Sequence, residues 1–189
     1  MRVLFLAFDG VLNSSQSIEY FYRKWVEDGK PQDKAYLDGE DDTWCPIAIS
    51  NLKLLIELIP DLVIVITSSW REDMNLWVLR SLFHKHPLIS KAIIDKTPIV
   101  KEGSRAKEIK SWISQNPHFP ISNYIILDSL SIGGLRKHLI KLNPKEGFMY
   151  SDFLKALNLL GYTYPDNDED LKNVSTSREK IILASRFIS

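Results

Sequence analysis

Three short apolar runs constrain this chain more than any other feature: VLFLAF at 3–8, LVIVI at 62–66 and NYIILD at 123–128. A strand with one face in water alternates apolar and polar residues, whereas a near-continuous apolar run needs cover on both faces. Between these runs the apolar residues fall at helical spacing. Ile18, Phe21, Tyr22, Trp25 and Val26 predict a helix over 17–27. Leu52, Leu55, Ile56 and Ile59 predict another from Pro46 to Ile59, with proline in its first turn. Residues 73–84 read as a helix that stops before Pro87, and KAIID at 91–95 as a short strand. Gly103 and Ser104 precede a helix through Ile113 that Pro117 closes. Residues 139–142 read as a further strand and 151–160 as a last helix. Strands alternating with helices predict an α/β domain built on a doubly wound parallel sheet. Ligands of such sheets bind at the carboxyl ends of the strands, and three predicted strands end in polar residues: Asp9, Thr67-Ser68 and Asp128.

With 189 residues the chain reads as one domain. Residues 1–160 form its core, 28–44 (containing DGK and DGEDD) an irregular insertion or flap, and 161–189 a tail that docks or stays loose. Lys plus Arg and Asp plus Glu number 24 each, so overall charge selects no partner. Cys45 is the single cysteine, which excludes an intrachain disulfide and fits a reducing compartment. No apolar stretch reaches the roughly 18 residues of a membrane span, so the expectation is a soluble, cytoplasmic chain with no membrane partner. His84, His86, His118 and His138 make no metal-ligand pattern beyond HKH. Arg136, Lys137, His138, Lys141 and Lys145 read either as a solvated face or as a rim that binds a polyanion.

Five stretches then occur in a fixed order: AFDGVLN at 7–13, ITSSWR at 66–71, TP at 97–98 with RAKEIKSWI at 105–113, ILDS at 126–129 and NPKEGF at 143–148. Together they resemble the haloacid dehalogenase-like (HAD) phosphatases, in particular the capless branch known as the HAD domain of Swiss Army Knife RNA repair proteins. The resemblance spans roughly residues 1–160. It implies a Rossmann-like core with little or no cap. It also implies magnesium-dependent hydrolysis of a phosphate monoester through an aspartyl-phosphate.

Carried over residue by residue, the resemblance makes Asp9 the general acid and base, with its backbone carbonyl a metal ligand. Thr67 becomes the phosphate-binding hydroxyl with Ser68 beside it, Arg105 the phosphate-binding cation with Lys107 as its substitute, and Asp128 the metal-binding carboxylate. Asn13 and the Trp70-Arg71 pair join the substrate-binding set. Trp70 either packs under the sheet or stacks on a nucleobase, and Arg71 either pairs with Glu72 or Asp73 or reaches the substrate. Thr67 could also serve only as a helix cap.

Two departures follow. The nucleophile's position holds Ala7, which can neither attack phosphorus nor bind a cation, and the usual second acid after Asp128 is Ser129. The expected result is weakened magnesium binding and a chain that cannot form the phosphoenzyme. Retention of Asp9, Thr67, Arg105 and Asp128 favours an introduced Asp→Ala change, while Ser129 favours a natural non-catalytic protein that binds phosphorylated ligands or a protein partner. The substrate candidates are a nucleic-acid end, a nucleotide or a phosphoprotein.

Overall fold

The structure, a computed structural model, describes residues 1–27, 44–101 and 103–162. The expected insertion at 28–44, apart from Trp44, and the expected tail at 161–189, apart from Gly161 and Tyr162, lie outside the described residues. In chain order the elements are β1 (Arg2–Leu6), α1 (Ser15–Glu27), α2 (Pro46–Leu58), β2 (Leu62–Ile66), a 3-10 turn (Ser69–Arg71), α3 (Leu76–Ser81) and α4 (Pro87–Ala92). Then follow β3 (Ile93–Lys96), α5 (Arg105–Gln115), β4 (Asn123–Asp128), β5 (Leu139–Lys141) and α6 (Tyr150–Leu159). The five strands form one parallel sheet in the order β3-β2-β1-β4-β5. This is the doubly wound α/β core that the apolar runs predict.

The sheet is covered on both faces, and the period of two along each strand decides which residue goes where. Leu4, Leu6, Ile64, Ile66, Ile125 and Leu127 join a core with Leu52 and Leu55 of α2, Ile89 of α4 and Phe153 and Leu157 of α6. Val3, Phe5, Val65 and Ile126 face the other way, onto Ala106, Ile109 and Trp112 of α5. Phe5 meets the rings of Trp112 and Tyr124 edge-on at 5.6 and 5.7 Å, an arrangement that adds to the burial itself. No helix among the described residues is long and apolar enough to cross a membrane.

Three boundaries differ from the sequence reading, each for a local reason. The first strand ends at Leu6 and not Phe8, because the Phe8 carbonyl accepts the N–H groups of Val11, Leu12 and Asn13 and turns the chain. The first helix begins at Ser15, where the Ser14 hydroxyl accepts the Ser17 N–H. The predicted helix over 73–84 is broken. Asn75 caps a short α3 by accepting the Val78 N–H, and Pro87 opens a separate α4 where the sequence reading continues to a strand at 91. Proline has no N–H to lose in a first turn, and the residue before it, His86, is not helical.

Candidate active site

The loop leaving β1 turns tightly at Gly10. Ala7 continues the ladder, its N–H on the Leu127 carbonyl at 3.1 Å, and its methyl group is buried in the apolar core. Asp9 follows and is exposed, and the Gly10 N–H closes the turn on the Asn13 carbonyl at 3.1 Å. Gly10 has φ +72°, and a Cβ there would lie 2.8 Å from the Ser129 side chain and 2.9 Å from Pro144. Glycine is therefore required twice over, by backbone conformation and by space. Gly10→Ala should destabilise the fold by about 2–5 kcal/mol, the sum of left-handed strain and overpacking. Chemical denaturation checks it, and a loss no larger than a surface substitution's would contradict it.

NPKEGF holds this loop from below. The Pro144 and Lys145 carbonyls accept the N–H groups of Ser15 and Gln16 at the start of α1, and Phe148 N–H reaches the Val11 carbonyl at 2.9 Å. The first and last motifs thus form one structural unit.

The Asp9 carboxylate has both oxygens occupied. Asn13 Nδ2 donates to Oδ1 at 2.9 Å, and the Trp70 indole N–H donates to Oδ2 at 3.1 Å. Trp70 is itself held by Phe8 edge-on at 5.6 Å and by Trp44 at 5.8 Å. So the structure brings Asn13 and Trp70 to Asp9 and assigns both to orienting it. The sequence could raise Trp70 only as packing or as a stacking platform, because a residue on the next strand's loop carries no signal of its partner.

Thr67 and Ser68 continue β2, with Thr67 N–H on the Leu6 carbonyl at 2.9 Å. Both hydroxyls are buried, and neither has a hydrogen-bond partner among the described residues. A buried hydroxyl without a partner costs free energy.

Arg71 goes the other way, into the protein. It is 1% exposed. Its Nε donates to the Thr97 carbonyl at 3.1 Å, its Nη1 to the Thr67 and Ser68 carbonyls at 3.0 Å each, and its Nη2 pairs with Glu108 at 2.6 Å. The pairing with Glu72 that the sequence offered is present but long, at 3.9 Å, and the main partner comes from α5. The guanidinium is a strut under the Thr67-Ser68 loop.

At the end of β4, Asp128 is buried and doubly held, by Arg105 Nη1 on Oδ2 at 2.7 Å and by the Leu130 N–H on Oδ1 at 2.8 Å. Lys107, one turn position further along α5, is exposed and takes no part in this pair. Ser129 donates its hydroxyl to the Asp9 backbone carbonyl at 3.1 Å.

These contacts bear directly on the magnesium ion that the resemblance implies. Position 7 supplies no oxygen, the Asp9 carbonyl already accepts Ser129, and the Asp128 carboxylate is neutralised by Arg105. Among the described residues no three His, Cys, Asp or Glu side chains cluster as a metal site would require. The described residues do not fit a divalent cation.

The basic residues singled out in sequence divide into two places. Lys141 lies opposite Asp128 in the β5 register and Lys145 in the turn beside the Asp9 loop. Arg136, Lys137 and His138 line a separate shallow groove of about 350 Å³ whose floor is Tyr124, stacked on His138 at 3.9 Å. Burial raises the Tyr124 phenol above its usual pKa and keeps it neutral.

Compared with known proteins, the chain matches a family model described as the HAD domain in Swiss Army Knife RNA repair proteins, over residues 3–153. No curated protein and no solved structure matches.

Proposed function

The chain belongs to the HAD domains of Swiss Army Knife RNA repair proteins, a phosphatase-type family, and from that premise we propose that its site binds a phosphate monoester and, as written, does not turn it over. The observation that carries this reading is that Asp9 follows β1, Thr67 and Ser68 follow β2, and Asp128 with its partner Arg105 ends β4, all on the carboxyl edge of one parallel sheet. Two buried hydroxyls and a guanidinium suit the oxygens of a phosphate. Asp9, oriented by two N–H donors, suits proton transfer to and from an ester oxygen or a water.

In the form with a carboxylate at position 7, that carboxylate attacks phosphorus and the P–O ester bond breaks. Asp9 gives its proton to the leaving oxygen, and then takes one from the water that splits the acyl phosphate. Ala7 removes the first step and with it all that follows. For the substrate we favour a phosphorylated nucleic-acid end. The matched family is described by RNA repair, and the exposed Lys141 and Lys145 beside the site suit a polyanion better than a small neutral metabolite.

Ala7→Asp tests the reading directly. Phosphate release from a panel of 5′- and 3′-phosphorylated oligonucleotides, mononucleotides and a phosphopeptide should appear in the variant and be absent from the chain as written. No release by the variant on any member would sink the phosphatase reading. Cleavage of the phosphopeptide alone would sink the choice of substrate. A natural non-catalytic protein is the second reading, favoured by one contact: Ser129 both bonds the Asp9 carbonyl and fills the space against Gly10, so the residue in place of the second acid is built into the loop.

A further inference from the structure

An oxygen site for a divalent cation needs carboxylates with free lone pairs. This chain retains one such carboxylate, Asp128, and spends it on Arg105 at 2.7 Å and on the Leu130 N–H at 2.8 Å. The other ligand that the family pattern offers, the Asp9 carbonyl, accepts Ser129 at 3.1 Å. A buried carboxylate must be neutralised by something, and here the neutralising charge belongs to the protein.

A guanidinium carries five N–H donors in a planar fork. Arg105 uses one of them on Asp128, and the rest of its head makes no other hydrogen bond among the described residues. On the same carboxyl edge of the sheet, after β2, the Thr67 and Ser68 hydroxyls are buried and without hydrogen-bond partners among the described residues. We infer that Arg105 takes the place of the divalent cation, neutralising Asp128 with one N–H and offering the others to the phosphate, so that this chain binds a phosphate monoester without metal. The inference rests on the phosphate-binding reading above and gives Asp128 a different role: counter-ion of Arg105 and not metal ligand. Asp128 and Arg105 cancel, so the incoming phosphate meets a neutral pair with its donors already oriented.

The test uses the chain as written, stripped with EDTA. Inorganic phosphate and a 5′-phosphorylated mononucleotide are titrated calorimetrically with and without Mg2+, and Mn2+ binding is followed by water-proton relaxation. Mg2+ should change phosphate affinity less than about twofold, and Mn2+ should find no site at Asp128. Arg105→Ala should weaken phosphate binding about tenfold or more, the loss of a charge-assisted hydrogen bond. The same variant should acquire a Mn2+ site, because it leaves a buried carboxylate without its cation, and Asp128→Asn in that background should abolish the new site. Arg105→Lys keeps the charge and should keep Mn2+ out, which covers the case in which the alanine variant fails to fold.

Tenfold tighter phosphate binding with Mg2+, or Mn2+ held at Asp128 while Arg105 is present, would overturn the inference. Absence of phosphate binding alongside the expected Mn2+ results would overturn the phosphate-binding reading of the site instead, leaving the exclusion of metal by Arg105 supported.

Discussion

Replacing Arg71 by methionine should cost about 3–5 kcal/mol of stability, the effect of leaving a buried carboxylate without its partner. Glu108 is buried and meets Arg71 Nη2 at 2.6 Å, and the carbonyls of Thr67 and Thr97 would lose their Arg71 donor in the same step, while that of Ser68 keeps the backbone N–H of residue 71. For a domain of this size the melting temperature should fall by roughly 6–20 °C. Removing both charges in Arg71→Met with Glu108→Leu should recover much of the loss, since an ion pair replaced as a whole by apolar groups is often close to neutral. The carbonyls left bare keep the recovery incomplete. Glu72→Ala should be nearly silent, because its half-exposed carboxylate approaches Arg71 only at 3.9 Å. Equilibrium unfolding of the four proteins decides the matter, and an Arg71→Met loss no larger than that of Glu72→Ala would refute the strut.

The second large effect concerns chemistry. In the Ala7→Asp background, Asp9→Asn should lower phosphate release from an alkyl phosphate about 10²–10⁴-fold, the usual worth of a positioned acid and base. Asparagine keeps an oxygen for the Trp70 indole N–H that Asp9 now accepts at 3.1 Å, so the loop should stay folded while its proton is lost. An aryl phosphate, whose leaving group needs no proton, should lose less in the first step and let the phosphoenzyme accumulate. Steady-state rates on both esters, with acid quenching to trap the intermediate, measure this. Equal rates with and without Asp9 would remove it from the acid and base role.

The strands were legible because each declares itself within five or six residues: LVIVI has no polar position to present to water, so it must lie inside a covered sheet. The interrupted helix over 73–84 was not. Its apolar spacing is helical throughout, and the break comes from the Asn75 cap and from Pro87, which serves equally as a helix stop and as a first-turn residue. The sequence could raise Asp9, Thr67 and Asp128 as candidates because strand ends converge in any doubly wound sheet, and Arg105, at the start of α5, only through the resemblance. What each of them touches was not legible. Trp70 could be read as a stacking ring and Arg71 as a substrate ligand on equal grounds, since both side chains are able to do either.

By itself, then, the amino-acid order determined the parallel sheet, the polar residues at its strand ends, and an alanine at position 7 that carries no side-chain oxygen. These are properties of single residues and of short local periods. Only the tertiary structure decided the pairings: Trp70 with Asp9, Arg71 with Glu108, Arg105 with Asp128, Ser129 with the Asp9 carbonyl. Each joins segments far apart in the chain, and donors and acceptors of the same kind compete for each place. Which of them meet depends on how the strands register and where α5 lies across the sheet, and spacing along the chain does not carry that information.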